Sequence, residues 1–222
     1  MYIKIFVLIC LLLSNKALAK PISLKDKAGQ DFTFSNTARI LSIASPAGSM
    51  VVAMAKNEEQ RLVGTSPKSY KAMQEGVLNE FFPYLNTISS TFLSKENSIN
   101  IESILQLKPD LVLQWAHDEK SIALLQEAGL NVVAMKYSKL DIAKIWLSDI
   151  AFLLDNSKKA KQVLQWHEEA YKKITAKTKE IALKNKPSVL YLVNEDLAAG
   201  SLSHFQFFMD TAGARNALNI NK

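Results

Sequence analysis

Residues 100 to 115 read NIESILQLKPDLVLQW. Asn100 is an N-cap residue set before an apolar-periodic run, and Glu102 falls in the first turn, where a helix dipole favours a carboxylate. The spacing predicts a helix over Ile101 to Leu107. Pro109 lacks the N–H a helix would need and disfavours helix at Lys108, so the helix must stop there. Leu111-Val112-Leu113 then forms a short continuous apolar run, the mark of a strand buried on both faces. One helix, a hard stop and a fully buried strand within sixteen residues predict an α/β protein with a mostly parallel sheet.

The same alternation extends in both directions. Upstream, Ile22, Leu24, Phe32 and Phe34 alternate with polar residues around Gly29 and predict a β-hairpin. Arg39 to Ala44 is a short strand ended by Ser45-Pro46, Ala47 to Ala55 a helix, and Leu62-Val63-Gly64 a strand closed by Thr65-Ser66-Pro67. Residues 67 to 98 read as irregular or weakly helical. Downstream, Ser121 to Ala128 is a helix stopped by Gly129, Asn131 to Met135 a strand, and Leu140 to Leu154 an amphipathic helix. In such sheets ligands gather beyond the carboxyl ends of the strands. The loops of interest are therefore those around Ser45, Ser66, Gln114 and Lys136.

From Ser157 to about Lys184 the chain has no Gly or Pro and is rich in Lys, Glu, Ala and Gln. A helix of that extent is roughly 40 Å long and suits a strut between two lobes better than a core element. After Pro187 the α/β pattern restarts: Ser188 to Val193 as a strand, Asn194 to Ser203 as a loop, and Phe205 to Ala212 as a helix stopped by Gly213. One strand and one helix cannot enclose a core, so a second lobe that is incomplete is the expectation. The division is a leader over residues 1–19, a first α/β lobe over 20–154, a connecting helix over 155–186 and a partial second lobe over 187–222.

Lys4, the nine apolar residues Ile5 to Leu13 and the small-x-small triplet Ala17-Leu18-Ala19 have the pattern of a cleaved secretory signal. The rival, an uncleaved anchor, fits less well because the apolar run is too short to span a bilayer. The single cysteine, Cys10, lies inside this run, so the exported chain has no disulfide, thiolate metal site or cysteine nucleophile. The 222 residues are 48% hydrophobic and 22% charged, ordinary values for a chain that buries a core. The formal charge of +6 is spread rather than clustered. The densest basic stretch, Lys158 to Lys186, is interleaved with Glu168, Glu169 and Glu180, as on a solvated helix face. No nucleic-acid motif accompanies it, and nucleic acid is not an expected partner.

In order and spacing, these pieces resemble the iron-siderophore and cobalamin class of periplasmic binding proteins of ABC importers. The resemblance runs through Arg39–Ala47, Arg61–Gly64, Asn100–Trp115, Ala128–Val133 and Ala199–Asn216, nearly all of residues 22 to 220. The hairpin over Asp26–Asp31 is similar to the leader of the siderophore, haem and metal-chelate branches. The resemblance implies two Rossmann-like lobes joined by one rigid helix, a periplasmic location, and capture of an iron complex, a ferric siderophore or haem, between the lobes. It implies delivery to an inner-membrane permease by a monomer, with no cofactor of its own. A nickel or cobalt chelate, or cobalamin, is the alternative cargo. Members of the class dock on the permease through one acidic residue per lobe, and Glu102 matches the first. They also continue beyond the stretch matching Gly213 and Asn216, so a truncated, non-transporting remnant is a further alternative.

The expected cleft residues are Ser45, Lys68, Tyr70, Trp115, His117, Tyr137, His204 and Phe205. Each has a plainer role beside the functional one. Trp115 either stacks on a flat ligand or caps the core. His117 and His204 either are solvated or reach a metal or haem. Tyr70 and Tyr137 either pack or offer a phenolate to ferric iron. Lys68, with Lys71 and Lys136, either solubilises the surface or attracts an anionic chelate. His167, mid-helix, is read as structural or solvated, and Trp146 and Trp166 as lying away from the cleft. An enzyme is not expected. The chain has no Gly-x-Ser-x-Gly, His-Glu-x-x-His or Gly-x-Gly-x-x-Gly motif.

Overall fold

The computed structural model describes residues 22–25, 31–34, 37–56, 59–94, 98–136, 142–194, 197–198, 200 and 204–219. The segment read as a signal lies outside them, as does the turn around Gly29. In chain order the first elements are β1 (Ile22–Lys25), β2 (Asp31–Phe34), β3 (Ile40–Ser42), α1 (Ser45–Met54), β4 (Leu62–Thr65), α2 (Pro67–Glu75), α3 (Leu78–Phe81) and a 3-10 turn at Pro83–Thr87. Then come α4 (Ile101–Gln106), β5 (Leu111–Trp115), α5 (Glu119–Glu127), β6 (Val132–Met135), α6 (Ile142–Leu153) and α7 (Ser157–Thr178). A 3-10 turn at Leu183–Asn185, β7 (Ser188–Val189), β8 (Leu192–Asn194), β9 (Leu197–Ala198), α8 (His204–Thr211), β10 (Arg215–Asn216) and a last 3-10 turn complete the order.

The central sheet has strand order β4-β3-β5-β6, every pair parallel. Its strands are buried on both faces, and the two-residue period sorts their side chains into two cores. Ile40, Leu111, Leu113, Val133 and Met135 join Val51 of α1 and Trp146 and Ile150 of α6 on one side. Leu41, Val112 and Val132 meet Ile104 of α4 and Leu125 of α5 on the other. Leu111, Val112 and Leu113 are fully buried, each burial contributing about 1.5–3 kcal/mol. A charged residue at any of the three would split a core.

Local chemistry sets the junctions. Asn100 Oδ1 accepts from the Ser103 N–H at 3.0 Å and starts α4. Arg39 then ties the end of α4 to β3: its Nη2 donates to the Leu107 carbonyl at 2.7 Å and its Nε to that of Lys108 at 3.1 Å. A cation on the last carbonyls of a helix is favourable to its dipole. Gly129 ends α5 with φ +80°, the left-handed conformation that glycine adopts without strain. The hairpin over β1 and β2 is antiparallel, pairing Ile22 with Phe34 and Leu24 with Phe32.

Four sequence expectations are refined by the structure. Of the two readings of the stretch after Pro67, irregular or weakly helical, the helical one holds as far as Glu75: Ser66 Oγ accepts from the Ser69 N–H, Pro67 opens the helix, and α2 buries Ser69 and Met73 over nine residues. The long helix α7 is 22 residues, ending at Thr178. Its last turn meets α8, where Thr178 Oγ1 donates to the Thr211 carbonyl at 2.8 Å and Gly213 approaches too closely for a side chain. That tertiary contact, rather than any Gly or Pro, marks the end. The expected strand over Ser188 to Val193 divides: β7 pairs in parallel with β10, whereas β8 turns back on β9 as a hairpin within the expected loop. Trp146, expected away from the cleft, is not among its lining residues but is buried beneath Trp115, its ring centroid 5.4 Å away.

Candidate functional site

The chain runs from β3 to β4 on one side of the sheet, then returns past β3 to β5 on the other. At such a reversal the loops leaving the carboxyl ends of neighbouring strands diverge and leave a crevice. A cleft of about 630 Å3 occupies that place. Ile43 and Ser45 line it from the end of β3, Ser66, Pro67 and Lys68 from β4, Gln114, Trp115, His117 and Asp118 from β5, and Leu93 and Ser94 from a segment beside β4. That segment reaches the sheet through a parallel bridge between Gly64 and Ser89.

One wall is built on Gln114. This side chain is 1% exposed, and both its polar atoms are engaged. Its Oε1 accepts from the Trp115 N–H at 2.7 Å, and its Nε2 donates to Asp118 Oδ2 at 3.1 Å. Asp118 Oδ1 in turn caps α5 through the Ser121 N–H at 3.2 Å. Gln114 and Asp118 thus hold the tight loop that presents Trp115 and His117. The two rings lie 5.8 Å apart and tilted by 36°, with Trp146 supporting the indole from behind. The carboxylate of Asp118 is committed to these bonds.

The opposite side is polar and cationic. The amino ends of α1 and α2 border the cleft there, whereas that of α5 lies on the Trp115 wall and is already capped by the Asp118 carboxylate. The cap of α1, Ala44, supplies no side-chain acceptor for its first N–H groups. Helix amino ends and an exposed ammonium, that of Lys68, favour a ligand with negative charge. Among the described residues no carboxylate pairs with Lys68. Ser69 Oγ donates to the Ser45 carbonyl at 2.8 Å and fastens α2 to α1 at the rim.

The structure therefore brings Ser45, Lys68, Trp115 and His117 into one cleft. Tyr70 packs against the main core and is not among the cleft-lining residues. Phe205 stacks on Tyr191, centroids 3.8 Å apart, and does not line the cleft either. Tyr137 lies outside the described residues; His204 opens α8. Lys136 is exposed next to β6, and Glu102 is exposed on the first turn of α4. Ile43, Leu93, Ser94 and Asp118 are additions that the sequence did not single out. Asp118 was findable as an N-cap three residues before Ser121; Leu93 and Ser94 carried no local signal. Among the described residues no three His, Asp or Glu side chains gather as a metal-ligand set.

A family model described as periplasmic binding protein matches residues 49–222. No curated protein sequence matches the chain. Among solved structures, a periplasmic solute binding protein from Veillonella parvula is similar, with 27% identity and a TM-score of 0.77. That alignment covers 91% of this chain and 61% of the other, so the chain spans about three-fifths of that relative's length. Two further structures share the fold. The molybdate periplasmic binding protein MolA of Haemophilus influenzae has 19% identity and a TM-score of 0.74, covering 90% of this chain and 67% of its own. The periplasmic haem-binding protein BhuT, solved with two haems, has 20% identity and a TM-score of 0.62, covering 80% and 66%. The family match takes in the loops after β4 and β5, the long helix and the elements that follow it, and on that ground the chain belongs to the periplasmic binding protein family, whose members bind substrates and are not enzymes.

Proposed function

We propose that this chain is the substrate-binding component of an ABC importer, working in the periplasm, and that its cargo is an iron complex, a ferric siderophore or haem. The observation that carries this reading is the cleft itself. About 630 Å3 is bounded by an aromatic wall of Trp115 and His117 on one side and by Lys68 and helix amino ends on the other. A flat or bulky chelate with negative charge matches both halves: its apolar face stacks on the indole and its charge meets Lys68 and the helix amino ends. A volume of this size lies in the usual range for small-molecule sites, roughly 300–1,000 Å3. Haem is the ligand named for BhuT, which shares the fold. Glu102, exposed on α4, is the residue assigned to permease docking in this scheme. Residues 20–154, 155–186 and 187–222 serve as first lobe, connector and start of the second lobe.

A second reading has its own support. The amino ends of α1 and α2 beside Lys68 suit a small oxyanion, and molybdate is the ligand named for MolA.

Tryptophan fluorescence decides between them. Trp166 is 69% exposed on α7 and would dilute the signal, so the titrations use a Trp166→Phe background. The panel is haemin, a ferric siderophore, cobalamin, nickel-histidine and molybdate. Saturable quenching by haemin or the siderophore, strongly reduced by Trp115→Phe, is expected. Because Trp146 lies against Trp115, a residual signal remains in that variant. Saturation by molybdate alone, insensitive to Trp115→Phe and weakened by Lys68→Met, selects the second reading. Folded protein without a saturable response to any of the five refutes both.

A further inference from the structure

A second concavity lies apart from the residues that line the cleft. It encloses about 410 Å3 where α6, α7 and α8 come together over the middle of α1. Its lining includes Met50 and Leu147 from the first lobe, His167 and Tyr171 one turn apart on α7, and Phe207 from α8, with Lys144 at the edge. The volume is in the range of small-molecule sites and the lining is mainly apolar with few polar groups, the usual composition of such sites. None of the residues of the proposed chelate cleft takes part.

Two features specify what fits. The first is aromatic. The Tyr171 and Phe207 rings are parallel within 7°, with centroids 5.5 Å apart, an offset stack with a flat face. His167 adds a third planar group beside them. The second is electrostatic. Glu168 is shared by two ammonium groups, Lys144 Nζ and Lys172 Nζ, each 3.7 Å away. One carboxylate between two cations leaves a positive charge uncompensated at the edge. The helix around it carries six lysines against two glutamates, so the wider field has the same sign.

From this juxtaposition of a flat aromatic lining and a surplus ammonium at its edge, we infer a second binding site for an aromatic carboxylate. The ring system lies against Tyr171 and Phe207, and the carboxylate meets Lys144. The site is independent of the cargo proposed above.

The test is calorimetric titration of the purified chain with 2-naphthoate, with the uncharged 2-naphthamide as comparison. Saturable binding of one naphthoate per chain is expected, with naphthamide weaker. Lys144→Met and, as a second replacement, Lys144→Gln should weaken naphthoate about three- to tenfold, the effect of losing one partly exposed charged contact, and leave naphthamide unchanged. Phe207→Ala should weaken both ligands. Raising the salt concentration should weaken naphthoate alone. Circular-dichroism melts check that each variant is folded. The inference is overturned if naphthoate shows no saturable heat. It is overturned if binding ignores Lys144 and Phe207 but falls in Trp115→Phe, which puts the probe in the cleft. It also fails if sedimentation shows the wild-type chain dimerising through this face, with Phe207→Ala restoring the monomer; the concavity is then an interface between copies.

Discussion

Gly48 sits on the buried face of α1, directly over β4 and beneath the rim of the cleft. A methyl group added there would lie 2.9 Å from Thr65 Oγ1, 3.1 Å from Met73 Cε and 3.5 Å from Ser42 Cβ. Thr65 is fully buried, and its hydroxyl has no hydrogen-bond partner among the described residues. Gly48→Ala therefore combines two opposed effects. Replacing a mid-helix glycine by alanine gains about 1 kcal/mol in helix propensity. Forcing a methyl into a filled core costs typically about 1–3 kcal/mol. The clash wins because its nearest partner is a short, buried side chain that has nowhere to swing; net destabilisation of about 1 kcal/mol is expected. Thr65→Ala alone should be nearly neutral. It loses a methyl, worth about 0.8 kcal/mol, but removes an unpartnered buried hydroxyl whose burial costs about 1–3 kcal/mol. In the double variant the new methyl of residue 48 occupies the space vacated at 65. The pair should then be at least as stable as the wild type, with a coupling energy of about 1–2 kcal/mol, inside the range for contacting residues. Urea unfolding of the four proteins, followed by circular dichroism, measures the cycle. Additivity within about 0.5 kcal/mol, or a stabilising Gly48→Ala, would refute the packing argument.

Two further predictions concern groups that line neither concavity. Burial pushes the Tyr84 phenol up from 10.0 to about 12, and a smaller contribution from the Leu62 backbone acts the other way without giving the hydroxyl a hydrogen bond of ordinary geometry. Below the unfolded value both states are protonated and stability is independent of this group. Between pH 10 and 12 the unfolded chain ionises first, so stability falls with rising pH through that window. Tyr84→Phe should flatten this part of the alkaline profile of urea midpoints and cost little at pH 7; an unchanged slope would contradict it. Lys108 holds φ +46° just before Pro109, a conformation costing a residue with a side chain roughly 1–2 kcal/mol. Only its backbone carbonyl serves Arg39, so Lys108→Gly should raise the urea midpoint by about 1 kcal/mol equivalent and Lys108→Ala should not. Equal midpoints for the two would show that the strain is absent.

What the sequence by itself determined is local. Asn100 as a cap, Pro109 as a stop, the apolar Leu111-Val112-Leu113 run and Gly129 as a helix end are decided by backbone sterics and by hydrogen bonds a few residues long. Those rules act before any tertiary contact forms, which is why the α/β class and the loops after the strands were legible. The order β4-β3-β5-β6 was not local, because a strand's neighbours are chosen by which faces pack best across the whole sheet. That order makes the loops after β3, β4 and β5 share one cleft, so that Ser45, Lys68, Trp115 and His117 meet across 72 residues of sequence. Long-range packing also placed Trp146 under Trp115, brought Leu93 and Ser94 to the rim, turned Phe205 onto Tyr191 and ended α7 at Thr178. In each case the partner lies too far along the chain for any periodicity or cap to announce it, and only packing and hydrogen bonding between segments distant in sequence decide the match.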